Sequence, residues 1–320
     1  MGDLVGIAAY LTFFLAVALN YAVACLGLNL QWGYTGLFNV GVAGFYAVGA
    51  YAGAILSGPD FPGQVGGFGL PFPLAWAGAM LVTGAVALVV AVPTLRLRHD
   101  YLAIATFGIA VVIQLVALNA QWLTGGAFGI NAPRPMFETI GSPFTWNLLF
   151  LAVTVLVVAI LYIALERLAQ SPWGRVLRAI REDETAARAL GKSATAFRIQ
   201  AFVLGCMIIG LAGAMFVSFV GFVSAQDFLP ILTFQVWTML IVGGSGNNRG
   251  AILGAIVVWA LWTLSGRVMG WLLPPEMQVR GAALQIVLIG VVLAALLIFR
   301  PGGILGERTA ISRHLEPGRR

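Results

Sequence analysis

The stretch LERLAQSPWGRVLRAIREDETAARALGKSATAFRIQAFVLG, residues 165–205, is the one long hydrophilic interruption in a chain that is otherwise almost continuous apolar span. Seven of the chain's 18 basic residues fall in it: Arg167, Arg175, Arg178, Arg181, Arg188, Lys192 and Arg198. Polytopic membrane proteins keep Lys and Arg on the cytoplasmic side, so this loop is expected in the cytoplasm. A short, patterned cytoplasmic loop is where a membrane subunit would receive force from a soluble partner. Transport therefore leads the functional classes.

Working outward, 60% of the residues are hydrophobic, 9% are charged, and the mean hydropathy is +0.95. Soluble domains carry about a quarter charged residues. A span needs roughly 20 mainly apolar residues to cross about 30 Å of hydrocarbon. Apolar runs occur at about 4–28, 37–56, 74–93, 101–121, 147–165, 197–220, 229–243, 250–266 and 282–299. The expected fold is an all-α, polytopic helical bundle of eight to nine spans forming one membrane domain over residues 1–320. The seventh run is short and edged by Asp227, Pro230 and the Gly243–Gly246 cluster, so a broken or re-entrant helix is an alternative there. Among the 40 glycines, Gly49 with Gly53 and Gly250 with Gly254 stand four apart, the spacing of close helix packing.

With nine crossings and the 166–196 loop inside, the outside segments hold three basic residues, Arg134, Arg267 and Arg280. The other 15 fall inside, at 93–100, 166–196, Arg198, 244–249 and the tail 300–320. That asymmetry puts the N-terminus outside and the C-terminus inside. The outside loops at 57–73 and 122–146 are rich in Gly, Pro and aromatics and read as short ordered lids. No Lys or Arg precedes the first apolar run, so no cleavable signal peptide is expected.

The net charge of +6 does not mark a nucleic-acid binder, because the arginines sit at span ends and form no basic face. Cys25 and Cys206 lie in apolar runs as packing residues. His99 and His314 are too scattered for a metal centre, and no cofactor is implied. Gly191-Lys192-Ser193 copies the tail of a phosphate-binding loop. The glycine that motif needs five residues earlier is Ala186 here, and no strand precedes it. The chain is not expected to hydrolyse ATP itself.

The same segment reads as an amphipathic docking helix. Ile180, Asp183, Ala187 and Leu190 share a face, while Arg181, Glu184 and Arg188 lie on a polar one. Glu184 and Arg188 are placed for an i, i+4 pair. Gly191 ends the helix, and Ser193 or Thr195 caps the next.

WGRVLRAIREDETAARALGKSATAFRIQAFVLG, residues 173–205, resembles the ATPase-engaging loop of branched-chain amino acid ABC transporter permeases of the LivM type. In matching order stand GYTGLFNVGVAGFYAVGAYAGAIL (33–56), RLRHDYLAIATFGI (96–109), LTGGAFGI (123–130), LIVGGSGNNRGAILGA (240–255) and FRPGGILG (299–306). One departure is Asn247-Asn248-Arg249, where small residues and a proline are expected near the turn. The resemblance implies an inner-membrane subunit of a heteromeric bacterial importer. Its partners would be a homologous second permease, two cytoplasmic ABC ATPases and a periplasmic solute-binding protein. It implies coupling through Arg181, Glu182, Asp183, Glu184 and Arg188, on the helix that Leu190 and Gly191 complete. Leucine, isoleucine and valine are the substrates it favours, with urea, short amides or other amino acids as alternatives.

Polar residues inside spans are pathway candidates: Asn39, Thr106, Gln114, Gln121 and Gln235, and beside them Asn20, Gln200 and Gln285. Thr106, Gln114 and Gln121 fall in one sector of a single helix and are expected to line a cavity together. No ionisable residue sits mid-span, which argues against a proton-coupled carrier. A passive channel explains the neutral spans but leaves the patterned loop without a purpose. A membrane-embedded enzyme lacks any nucleophile–base or metal-ligand set.

Overall fold

Inside hydrocarbon every backbone N–H and C=O must be satisfied within the protein, and the helix does so segment by segment. The computed structural model describes residues 2–60, 63–97, 99–131, 143–272, 274, 278–299 and 302–307. In chain order its elements begin with α1 (Gly2–Gln31), α2 (Val42–Ser57), α3 (Phe72–Thr94), α4 (His99–Asn119), α5 (Gln121–Thr124) and strand β1 (Ile130–Asn131). They continue with α6 (Pro143–Gln170), α7 (Pro172–Glu182), α8 (Glu184–Ala189) and α9 (Ala194–Val220). Strand β2 (Phe222–Val223), α10 (Pro230–Gly243), α11 (Asn248–Leu272) and α12 (Gln278–Phe299) complete the fold. Arg98, Arg134, Arg300, Arg308, Arg313, Arg319, Arg320 and His314 lie outside the described residues.

Each of the nine predicted apolar runs is helical, and six helices among the described residues are long and apolar enough to cross a bilayer. Two helices are short. At 1.5 Å per residue, α10, with 14 residues, spans only about 21 Å, and α2, with 16, about 24 Å. The first was anticipated and the second was not. The run read as a span from residue 37 is helical only from Val42, because Gly36 turns with φ +73° and residues 37–41 are non-helical.

The centre of the bundle is α9, packed against α1, α2 and α3. Its fit depends on small residues on both partners. A Cβ on Gly49 would lie 2.0 Å from the Gly210 carbonyl oxygen, and one on Gly53 would lie 2.8 Å from the Ala214 side chain. The four-apart pair on α2 thus meets a four-apart pair on α9. The second predicted pair behaves alike: Gly250 and Gly254 of α11 lie on Gly243 and Met239 of α10. Apolar attraction between helices is weak in lipid, so this close backbone approach supplies much of the packing energy. On the face away from the 166–196 loop, β1 and β2 form a two-residue antiparallel ladder with Ile130 opposite Val223. Ser224 and Asp227 close a reciprocal cap beside it.

Gly49→Ala forces the α2–α9 contact apart, at about 1–3 kcal/mol for overpacking. Gly108, with nothing within 4 Å of its Cβ position, is the control. We expect Gly49→Ala to lower the thermal unfolding midpoint in detergent and Gly108→Ala to leave it unchanged or raised.

Candidate functional site: a folded loop beneath a membrane cleft

The hydrophilic stretch between α6 and α9 is built from two short helices rather than one. Ser171 caps α7, its hydroxyl accepting from the Gly174 N–H at 3.4 Å. Where one docking helix was expected across 180–191, the chain breaks at Asp183, which is extended at φ −153° and ψ 102°. Its carboxylate accepts from the N–H groups of Thr185 at 2.8 Å and Ala186 at 3.0 Å, capping α8. An aspartate that bonds the backbone two and three residues ahead favours starting a helix over continuing one.

The break redistributes the predicted face. Ile180 and Ala187 are buried with Ala194 against Val176 and Phe197, so the apolar side of the loop packs on its own protein. Leu190, expected beside them, is 80% exposed. The Glu184–Arg188 pair forms at 2.5 Å, and Glu184 also meets Arg198 at 3.2 Å, whose side chain is only 9% exposed. Glu184 therefore pins α8 to the second turn of α9. Trp173 adds a second pin, its indole N–H donating to Gln200 at 2.8 Å. Gly191 ends the unit at φ +75°, and Ser193 takes the N-cap position of α9 without a side-chain bond. Thr195 lies inside α9.

Arg181 points inward. Its guanidinium donates to the Gly33 carbonyl, to both Glu307 oxygens at 2.9 and 3.0 Å, and to Glu182 at 2.9 Å. Burial disfavours its charge, but the hydrogen bonds and charges of Glu307 and Glu182 outweigh that and hold its pKa above the usual arginine value. The outward surface of the loop is small and mixed: Ala179, Glu182, Ala186, Arg188, Ala189 and Leu190 are exposed. Of the seven residues tied to coupling by sequence, Arg181 and Glu184 thus hold the loop together. Asp183 shapes it, and Glu182, Arg188, Leu190 and Gly191 remain on the surface.

The departure at Asn247-Asn248-Arg249 is part of the same face. Asn248 is buried, accepts from Asn29 at 2.9 Å and donates to Glu166 at 3.2 Å. Arg249 donates to the Tyr162 hydroxyl at 2.9 Å. Larger polar residues are accommodated because buried Asn29 at the end of α1 and half-buried Tyr162 and Glu166 near the end of α6 supply matching partners.

Inside the membrane region, half of the polar candidates are committed to backbone. Asn39 accepts from Gly41 N–H at 2.8 Å and donates to Gln31 at 2.9 Å, while its own carbonyl accepts from the Trp237 indole at 2.9 Å. Thr106 accepts from Val40 N–H at 3.0 Å, and Thr233 from Ala43 N–H at 3.0 Å. Together they satisfy the irregular approach to α2. Gln114 reaches the Ala225 carbonyl at 3.4 Å. Gln121 is exposed on α5, beyond a kink at Ala120, so the expected cavity of Thr106, Gln114 and Gln121 does not form. Asn20 donates to Tyr46, and Gln285 to the Trp262 carbonyl. Gln235 is the sequence candidate that lines a cleft, of about 670 Å³, with Trp32, Phe38, Phe234, Trp237 and Thr238. Gln31 and Thr233 were missed. A pair of amides, Asn29 and Gln31, just past the first apolar run was the available signal for Gln31; nothing in the sequence marked Thr233.

Loss of the Asp183 cap should cost about 1 kcal/mol, roughly a fivefold rise in local opening. Hydrogen exchange is expected to quicken at Thr185 and Ala186 in Asp183→Ala and to stay near wild type in Asp183→Asn.

The family described as branched-chain amino acid transport system / permease component matches residues 10–299. The chain is 32% identical over 308 residues to the high-affinity branched-chain amino acid transport system permease protein LivM of Salmonella typhimurium. That alignment covers 89% of this chain and 67% of the relative, so the chain spans about two thirds of its length. It is 29% identical over 326 residues to the probable branched-chain amino acid transport permease protein LivM of Methanocaldococcus jannaschii, covering 91% and 92%. It is also 23% identical over 310 residues to the permease protein LivH of Escherichia coli, covering 90% and 92%. With a family match running from the first long helix to the last, over a multi-helix membrane bundle, the chain belongs to the branched-chain amino acid transport system permease family.

Proposed function

We propose that this permease is one of two homologous membrane subunits of an ATP-binding-cassette importer in a bacterial inner membrane, and that it carries branched-chain amino acids inward. The carrying observation is the loop at 171–193, folded and pinned to α9, whose exposed surface presents Glu182, Arg188 and Leu190. A solvated linker needs no such internal caps and pins. On this reading the loop is cytoplasmic, with the N-terminus outside and the C-terminus inside, as the distribution of Lys and Arg favours. Two ATPase subunits would grip it, and a periplasmic binding protein would deliver the solute on the opposite face.

The cleft beside Gln235 is this subunit's share of the passage, completed by the second permease. Its lining is mostly apolar with amide and hydroxyl points, which suits an aliphatic side chain and offers a zwitterion no fixed charge. ATP-driven closure of the partners displaces the loop, and the bundle shifts between outward- and inward-facing populations. The matching relatives named for branched-chain amino acid transport favour leucine, isoleucine and valine over urea or amides.

The test is uptake of radiolabelled leucine, and separately urea, into vesicles holding the assembled importer. Reversing Asp183 and Glu184 would unfold the loop, and Glu182 is paired with Arg181, so the informative variant is Ala189→Asp with Leu190→Asp, both outward. Loss of ATP-dependent leucine uptake with intact membrane insertion is the expected result. Urea uptake alone overturns the substrate, and unaltered or ATP-independent uptake overturns the coupling.

A further inference from the structure

The segment Gly302–Glu307, which continues the FRPGGILG motif, does not trail away from the bundle. It lies as a strap on the end of α10. Ile304 N–H donates to the Val242 carbonyl and Leu305 N–H to the Gly243 carbonyl, both at 2.9 Å. The contact is backbone on backbone. Gly303, at φ +72°, sits where a Cβ would lie 2.6 Å from Gly244, and a Cβ on Gly244 would lie 2.2 Å from the Leu305 oxygen. Asn247 closes the strap from below, donating to the carbonyls of Leu305 and Gly306 at 3.4 and 3.3 Å.

Glu307 ends this strap, and Arg181 of the loop grips it. The same guanidinium holds the Gly33 carbonyl in the turn after α1. Arg181 thus has two arms. One leads through Gly33 to Trp32 and Phe38; the other leads through Glu307 and the strap to Ile241 and Ser245. Those four residues line the same cleft as Gln235. A third tie joins the arms, the Gly246 N–H donating to Asn29 at 2.8 Å.

We propose that the Arg181–Glu307 pair is the linkage that carries displacement of the loop to the walls of the cleft, and that the strap is a moving part of the passage. Arg181 and Glu307 are positioning residues; neither contacts solute. The inference rests on the reading that ATPases drive the loop. An ion pair with one partner 22% and the other 34% exposed is partly shielded from water, so reversing one charge both breaks it and opposes two like charges.

The assembled importer, reconstituted with its ATPases and binding protein, is compared as wild type, Arg181→Glu, Glu307→Arg and the double reversal. Leucine uptake and ATP hydrolysis are measured on the same vesicles. Each single reversal is expected to lower uptake per ATP by about tenfold while the complex still assembles and hydrolyses ATP, and the double variant, which remakes the ion pair but cannot donate to the Gly33 carbonyl, to recover part of it. A purely structural role would lower both activities together through lost assembly. Glu307→Arg transporting at the wild-type ratio, or a double variant no better than the singles, overturns the linkage. If the wild-type complex shows no ATP-driven uptake, the transport reading fails instead, and the linkage is judged on the purified chain. There, Glu307→Arg should speed hydrogen exchange at Ile304 and Leu305 together with Tyr34 and Gly36; a rise confined to the strap overturns it.

Discussion

Hydrocarbon offers no hydrogen bonds to a stray backbone group, and this constraint is sharpest where a helix stops short. α2 is preceded by non-helical chain at membrane depth. Its exposed N–H groups at Val40, Gly41 and Ala43 are taken by Thr106, Asn39 and Thr233, from three separate parts of the chain. Those bonds lock α2, α4 and α10 into one arrangement. They also explain why the cleft next to α10 is so apolar: the nearby polar groups, Thr238 on the Phe234 carbonyl among them, are already spoken for, and Gln235 is among the few left to face it. Architecture and cleft are thus set by the same small inventory of neutral side chains.

A second consequence concerns how force can travel. Small residues bring α9 into backbone contact with α1 and α2, and close against α3 through the side chains of Thr83 and Met207, so the bundle under the loop is stiff. The loop is stiff too, since Asp183 fixes its bend and Glu184, Arg198, Trp173 and Gln200 fix it to α9. Two rigid bodies joined by a few ionic and amide contacts move as levers, and strain concentrates at the joints. Arg181 is such a joint, with loop, turn and strap all meeting at one guanidinium.

The fold was legible in the sequence because its signal is repeated over long runs: nine apolar stretches correspond to nine helices, and Gly49, Gly53, Gly250 and Gly254 lie at real helix contacts. The start of α2 was not legible, because Leu37 to Gly41 is as apolar as a helix turn and only the tertiary bonds of Asn39 show why it is non-helical. In the loop, the Glu184–Arg188 pair was visible from spacing alone, a local property. The break at Asp183 turned on a competition between capping and continuation that periodicity does not weigh. The orientation of Arg181 was hidden for a different reason. Its partner is Glu307, 126 residues away, and no pattern along the chain links the two.

The neutral spans and the folded loop are two sides of one division of labour. A carrier that spends a proton gradient needs a titratable group within the membrane, at a cost of several kcal/mol to hold it there. This chain carries no such residue mid-span, and on the proposed reading it takes energy mechanically at its surface. On the proposed reading, a cleft without a fixed charge binds an amino acid's ammonium and carboxylate weakly and releases what it admits. Affinity and selectivity then have to be supplied before the solute arrives, and direction by the order in which the two sides open. On that reading the demand falls on transmission between loop and cleft, and a network of ionic and backbone contacts such as the one centred on Arg181 would meet it without putting charge in the cleft itself.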